Sequence, residues 1–327
     1  MDYPENSKQG KGRRRIAWGL SILLLTAALA IAVAVIALDY GRDVVAAEFF
    51  EDGIVSDAAG YGGQKPDPGD GWQKITMSYQ DLASGDLVLV NNNFPYSFDE
   101  TQDLVSIYAE KTNSYFVRDK NVLLSRRVME PLNRMMDDFC AQTGLKTINA
   151  VAGWRSYDEQ ENIYADCLAE NGADYTASYV ANPGCSEHHT GLAVDLSIYH
   201  SDDGTSEKFL GEGDYAWIPE NAWKYGFVQR YESGKETITM ISDEPWHFRY
   251  VGVPHAYIMK QRKFCLEEYI DFLKSYTFDG EHYSVECLGS QYEIYTCEGF
   301  EVTVPDAGDW TVSGNNVDGF IVTIRES

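Results

Sequence analysis

The sequence predicts an α+β protein with one transmembrane helix before the mixed region and a small β appendix after it. Three observations carry this. Residues 16–38 form an uncharged apolar run. Helical and strand-like periodicities then alternate from residue 72 to 276, and only short strand-like runs follow. With 327 residues, 44% hydrophobic and 13% aromatic, most of the chain can bury a core.

The first 15 residues form a basic segment containing Lys8, Lys11, Arg13, Arg14 and Arg15. The next 23 residues, 16–38, carry no charge and reach about 34 Å as a helix, enough to cross a bilayer. Basic residues precede this run and Asp39 and Asp43 follow it. The expected placement is therefore a single-pass protein of the cell membrane with the 289 residues that follow the run outside the cell. A cleaved signal peptide is the competing reading, since small-residue patterns such as Ala28-Leu29-Ala30 are present, but the run exceeds a usual signal core. The chain carries a net charge of −25, and five of its 26 basic residues lie in that first segment. A nucleic-acid partner is thereby excluded, because phosphate binding needs a basic surface.

Residues 39–71 hold nine glycines and prolines among acids and read as a stalk. The next region, 72–276, opens with a short β-type run at Leu87, Val88, Leu89 and Val90. Apolar spacing through Val128, Leu132, Met135, Met136 and Cys140 predicts a helix over 126–143. A strand is expected at 148–154, then a helix at 158–171 capped by Asp158 and stopped by Gly172. Further strands are expected at 191–198 and 248–251, a short helix at 220–225 ending at Gly226, and a long helix at 257–276. Residues 277–327 show strand patterns at 292–296, 300–304, 310–313 and 320–324. Six cysteines fall on the expected outer side, where disulfides persist. The expected pairs are Cys287–Cys297, Cys167–Cys185 and Cys140–Cys265.

Chemistry concentrates in two segments. One runs from Ser186 through Glu187, His188, His189, Thr190 and Gly191 to Asp195; the other is Glu244-Pro245-Trp246-His247. Two histidines and an aspartate are a ligand set of catalytic zinc, and Glu244 supplies a carboxylate for general-base work. If residues 188–189 are extended, their side chains face opposite ways and only one joins a given site. Taken singly, each residue has a plainer role: Asp195 as a strand-end cap, a lone histidine as a packing residue, Cys185 as half of a disulfide.

The pattern Ser186-x-His188-x-x-Gly191-x-Ala193-x-Asp195, followed by Glu244-x-Trp246-His247, resembles the paired signature of VanY-type D-alanyl-D-alanine carboxypeptidases. Gly153-Trp154-Arg155-Ser156-Tyr157-x-x-Gln160 resembles that family's upstream motif, and Tyr225-Gly226-Phe227 with Arg249-Tyr250 also fits. The resemblance spans roughly residues 80–255. Departures are Cys185, where Thr is common, and residues 239–243, a stretch that often carries Gly.

The resemblance implies a small antiparallel sheet with surrounding helices. It also implies zinc held by His188, Asp195 and His247, with Glu244 as the catalytic base. Arg155, Gln160 and Ser186 fall around the substrate's terminal residue. For Arg155 two roles stand open, stabilising the oxyanion or reading the terminal carboxylate, beside a structural ion pair. The implied substrate is the peptidoglycan stem peptide, losing its terminal D-Ala. L,D-carboxypeptidase, D,D-dipeptidase or endopeptidase activity, or a non-catalytic wall-binding role, are the alternatives on one scaffold.

Overall fold

The structure is a computed structural model that describes residues 71–96 and 103–326. The basic segment 1–15, the apolar run 16–38 and the stalk up to residue 70 lie outside the described residues.

Fourteen strands are found among the described residues: β1 (Trp72–Thr76), β2 (Leu104–Ser106), β3 (Phe116–Val117), β4 (Leu123–Ser125), β5 (Ile148–Ala152), β6 (Ala193–His200), β7 (Thr205–Lys208), β8 (Phe227–Tyr231), β9 (Glu244–Tyr250), β10 (Tyr283–Cys287), β11 (Ser290–Glu298), β12 (Glu301–Pro305), β13 (Asp309–Gly314) and β14 (Gly319–Glu326). They build four sheets. The largest runs β3-β5-β6-β9-β8, with β7 paired to β6; β3 and β5 are parallel and the other pairs antiparallel. One edge of β6 is divided end to end, residues 193–195 pairing with β9 and residues 197–200 with β7.

Helix α1 (Arg126–Thr143) lies on this sheet and has the bounds that its apolar spacing predicts. Val128, Leu132, Met135, Met136 and Phe139 are fully buried on one stripe, against Ile148, Ala150, Val194, Phe227 and Phe248. Gly144 ends the helix at φ 75°, a left-handed cap that glycine adopts without strain. Helix α2 (Tyr157–Asn171) begins one residue earlier than expected. Ser156, not Asp158, is its N-cap, in a reciprocal box with Glu159.

The expected helix over 257–276 is two helices, α3 (His255–Arg262) and α4 (Leu266–Leu273). Lys263 turns the chain in a left-handed conformation, and Glu268 bonds the backbone of Cys265 to restart it. Residues 87–90, read as a short β-type run, are buried but form no strand. Leu87 N–H donates to Ser313 Oγ and Leu89 N–H to the Asn315 carbonyl, so the segment leans on the C-terminal region. A second core joins Leu87, Leu89, Val251, Ile258, Leu266 and Ile270 to Ile294 and Ile321.

The predicted fold class needs correction. There are several sheets, the main one mixed, where a single small antiparallel sheet was expected. The C-terminal strands make their own sheet, β10-β11-β14-β13, and β12 pairs with β1. No helix among the described residues is long and apolar enough to cross a membrane, so the transmembrane helix is not an element of the fold as described.

The six cysteines are free. The expected Cys287–Cys297 bridge fails on register: Cys287 faces Ser290, and Cys297 sits seven residues further along β11, about 23 Å at strand rise. Cys167 instead accepts a hydrogen bond from Thr176 Oγ1 at 3.4 Å, and buried Cys265 caps α4.

Candidate active site

His188 lies in a single 3-10 turn, Glu187–Thr190, and not in an extended segment. Ser186 Oγ accepts the His188 N–H at 3.3 Å to start the turn, and Gly191 ends it at φ 68°. A side chain at Gly191 would meet Leu104 and the Ser125 backbone at 3.0–3.2 Å, so the turn requires glycine twice over. The turn buries both histidines. His188 Nδ1–H donates to the Gly153 carbonyl at 2.6 Å, leaving Nε2 to face Asp195 Oδ2 at 3.2 Å. His189 spends both ring nitrogens on backbone, donating from Nδ1 to the Arg155 carbonyl and accepting the Gly184 N–H at Nε2. Its role is to tie these segments together.

Asp195 and His247 are direct partners across β6 and β9, so their side chains share one face. His247 Nδ1 is 2.9 Å from Asp195 Oδ1, and the two histidine rings stand 4.9 Å apart and nearly perpendicular. One donor atom from each of His188, Asp195 and His247 lies within 4.8 Å of the others, all buried. Burial, helped by the Arg155 charge, pushes His188 down to about 4 and keeps it neutral. Burial works against the Asp195 carboxylate, but the hydrogen bond and charge of His247 hold it well below the usual range. Burial also opposes charge on His247, yet hydrogen bonds to Asp195 and Glu187 raise it to about 9. The pocket therefore attracts positive charge. Two imidazoles and a carboxylate with these partners fit a divalent cation of the zinc type.

Glu244 opens β9 at the end of that ladder, its carboxylate 3.9 Å from His247 Nδ1. Burial, reinforced by the Asp195 charge, raises it to about 7, where a carboxyl exchanges protons near neutrality. Arg155 Nη2 donates to Asp195 Oδ2 at 2.9 Å and Nη1 to Gln160 Oε1 at 3.4 Å. Gln160 is buried and its Nε2 donates to the Ala181 carbonyl, so it braces Arg155 against the 181 segment. These residues line a cleft of about 180 Å³ with Ser186, Tyr179 and Trp246, a size suited to a small terminal residue. Lys208 sets its ammonium 3.6 Å from the Trp246 ring centre.

The family model described as VanY, D-alanyl-D-alanine carboxypeptidase, matches residues 121–253, the stretch that holds every one of these side chains. A D-alanyl-D-alanine carboxypeptidase of Enterococcus faecium is 35% identical over 258 residues, covering 77% of this chain and 79% of that protein. The chain belongs to the VanY carboxypeptidase family. Its relatives include the bifunctional D-Ala-D-Ala dipeptidase and D-Ala-D-Ala carboxypeptidase VanXYC of Enterococcus gallinarum, 40% identical over 47% of this chain and 81% of that one. Among solved structures, the D,D-dipeptidase VanXYg in complex with a D-Ala-D-Ala phosphinate analogue aligns with 78% of this chain and 99% of its own, at 36% identity and a TM-score of 0.69. Family membership makes the chain a peptidase.

Beneath this cleft lies a charged layer with no counterpart among the sequence expectations. Glu187 is fully buried; its Oε1 accepts Arg230 Nε at 2.7 Å and Arg249 Nη1 at 2.9 Å, and its Oε2 is 3.3 Å from His247 Nε2. Burial disfavours the Glu187 carboxylate, but the two arginines outweigh it and hold the group ionised. Arg230 also pairs with Glu267 on α4, while Arg249 donates to the Asp86 and Val88 carbonyls. The available signal was an arginine beside aromatic residues in each of two strand segments, Arg230 next to Tyr231 and Arg249 between Phe248 and Tyr250, since a buried guanidinium demands a carboxylate partner.

Proposed function

We propose that this chain is a zinc-dependent D-alanyl-D-alanine carboxypeptidase that removes the terminal D-Ala of peptidoglycan stem peptides. One observation carries the reading: His188 Nε2, Asp195 and His247 Nδ1 converge within 4.8 Å, with the Glu244 carboxyl in the same cleft. His188, Asp195 and His247 would hold the zinc, which when bound would supply a Lewis acid for the peptide carbonyl. Glu244 takes a proton from the attacking water and returns it to the leaving D-Ala nitrogen. Arg155 uses two of its five donors on Asp195 and Gln160; the rest are left for the oxygen on which charge develops or for the terminal carboxylate. Ser186, at the start of the 188 turn, lines the same cleft and is assigned to the substrate's terminal residue.

D,D-dipeptidase activity is a second reading. The likeness to the VanXYg structure, extending over 99% of that chain, favours it.

The test incubates the protein with pentapeptide and tetrapeptide stems and with free D-Ala-D-Ala, with and without chelator, and follows released D-Ala by mass. The expected result is release from the pentapeptide, lost on chelation and restored by zinc. Cleavage of free D-Ala-D-Ala as well establishes the second reading. Release from the tetrapeptide alone overturns both.

A further inference from the structure

The two histidines of the site present opposite ring nitrogens to the same carboxylate. His188 faces Asp195 with Nε2 and His247 faces it with Nδ1. A neutral imidazole has one lone pair and one N–H, so whatever accepts that N–H decides which nitrogen is offered to a metal. For His188 the acceptor is a backbone carbonyl, Gly153 O, at Nδ1. For His247 it is the Glu187 carboxylate, 3.3 Å from Nε2.

Glu187 cannot easily turn away. Its other oxygen is held by Arg230 and Arg249, all three side chains being 0% exposed. Both His247 nitrogens face ionised carboxylates, Nδ1 that of Asp195 at 2.9 Å and Nε2 that of Glu187 at 3.3 Å; with Asp195 engaged on a metal, Glu187 is the acceptor that is left, and the proton stays on Nε2. A carboxylate that merely balanced the two arginines would have no need to reach the histidine.

We propose that Glu187 is a positioning residue for His247: it holds the proton on Nε2, so that Nδ1 is the atom presented to the metal, and Arg230 and Arg249 keep its carboxylate in place. The inference rests on the zinc reading above and deepens it. It makes the site asymmetric by construction, one ligand oriented by backbone and the other by a buried ion-pair layer reaching Glu267 on α4. The same orientation raises the basicity of the ligating nitrogen, as an anionic partner does and a carbonyl does less.

Two measurements test it, neither of them turnover. In zinc-loaded wild-type protein with ¹⁵N-labelled histidine, His247 should show a slowly exchanging proton on Nε2 and a metal-shifted Nδ1, while His188 shows the reverse. Zinc bound to His247 through Nε2, with the proton on Nδ1, overturns the proposal and leaves the zinc reading intact; a wild-type protein that binds no zinc sinks both. The second measurement is zinc affinity by chelator competition for Glu187→Gln, whose fold is checked by near-ultraviolet circular dichroism. The expected loss is about 10- to 100-fold. A folded variant with wild-type zinc affinity and a lowered melting temperature assigns Glu187 a purely structural part and refutes the proposal. Should the variant not fold, the wild-type spectrum still decides.

Discussion

Two regions of the molecule bury histidine, and they put it to different uses. On the β6–β9 face, His188 and His247 are surrounded by Asp195, Glu187, Glu244 and Arg155. Between α3 and the C-terminal sheet, His255 is just as deeply enclosed, but its ring nitrogens meet only hydroxyls, Tyr269 Oη at 2.8 Å and Thr323 Oγ1 at 3.0 Å. Burial alone drives His255 down to about 3. The carboxylates around His247 reverse that sense and raise it to about 9. Burial thus makes a histidine neutral and inert, and it is the buried anions that convert the pocket into a place for a cation.

The most drastic way to break the contrast is His188→Ala, which should lose bound zinc and D-Ala release together. Metal analysis of the purified variant checks it, and a full zinc complement would remove His188 from the ligand set. Glu244→Gln should instead keep its zinc while turnover falls roughly 10²- to 10⁴-fold, because it removes a base and no ligand. Metal loss in that variant would move Glu244 among the ligands.

Arg155→Lys separates the two assignments open for that guanidinium. If it faces the developing oxyanion, kcat falls by about 100-fold, or roughly 3 kcal/mol, on both the free acid and the C-terminally amidated substrate. If it reads the carboxylate, KM rises and amidation harms the wild type far more than the variant.

The smallest effect sharpens the other side of the comparison. Because the folded protein holds His255 well below its unfolded value, the unfolded chain binds the extra proton. His255 therefore adds a stability loss that begins as pH drops below about 6.5 and continues toward 3. His255→Gln should cost about 1–3 kcal/mol at pH 7 and less at pH 5, since the glutamine has no proton to gain. Urea unfolding at the two pH values reads the difference; a gap that widens at pH 5 would show that His255 is charged in the fold.

Much of the site was legible because its signals are local. His188 and Asp195 lie within one eight-residue stretch, and Glu244 lies three residues before His247. Apolar spacing likewise fixed α1 to its end residues. What escaped depends on residues far apart in the chain. Glu187 meets Arg230 and Arg249 across 43 and 62 positions, and no period in the sequence announces such a contact. The 188–189 pair was misjudged for the opposite reason: one tight turn, closed by Gly191, replaced the extended run that the following strand suggested. The long helix at 257–276 hid its break because Lys263, unlike glycine, gives no warning of a left-handed turn. The cysteine count invited bridges, yet a strand register that separates Cys287 from Cys297 is invisible until β10 and β11 are paired.

The ladder between β1 and β12 gives the protein a mechanical property. Its five residue pairs, from Trp72 with Pro305 to Thr76 with Glu301, join the start of the described chain to its C-terminal strands. Tension arriving along the backbone from residue 71 is therefore met first by this ladder and by the Trp72 ring seated against Phe278 and Tyr295. The strands that carry Asp195 and His247 lie between β1 and β12 along the chain, inside the loop that this ladder closes.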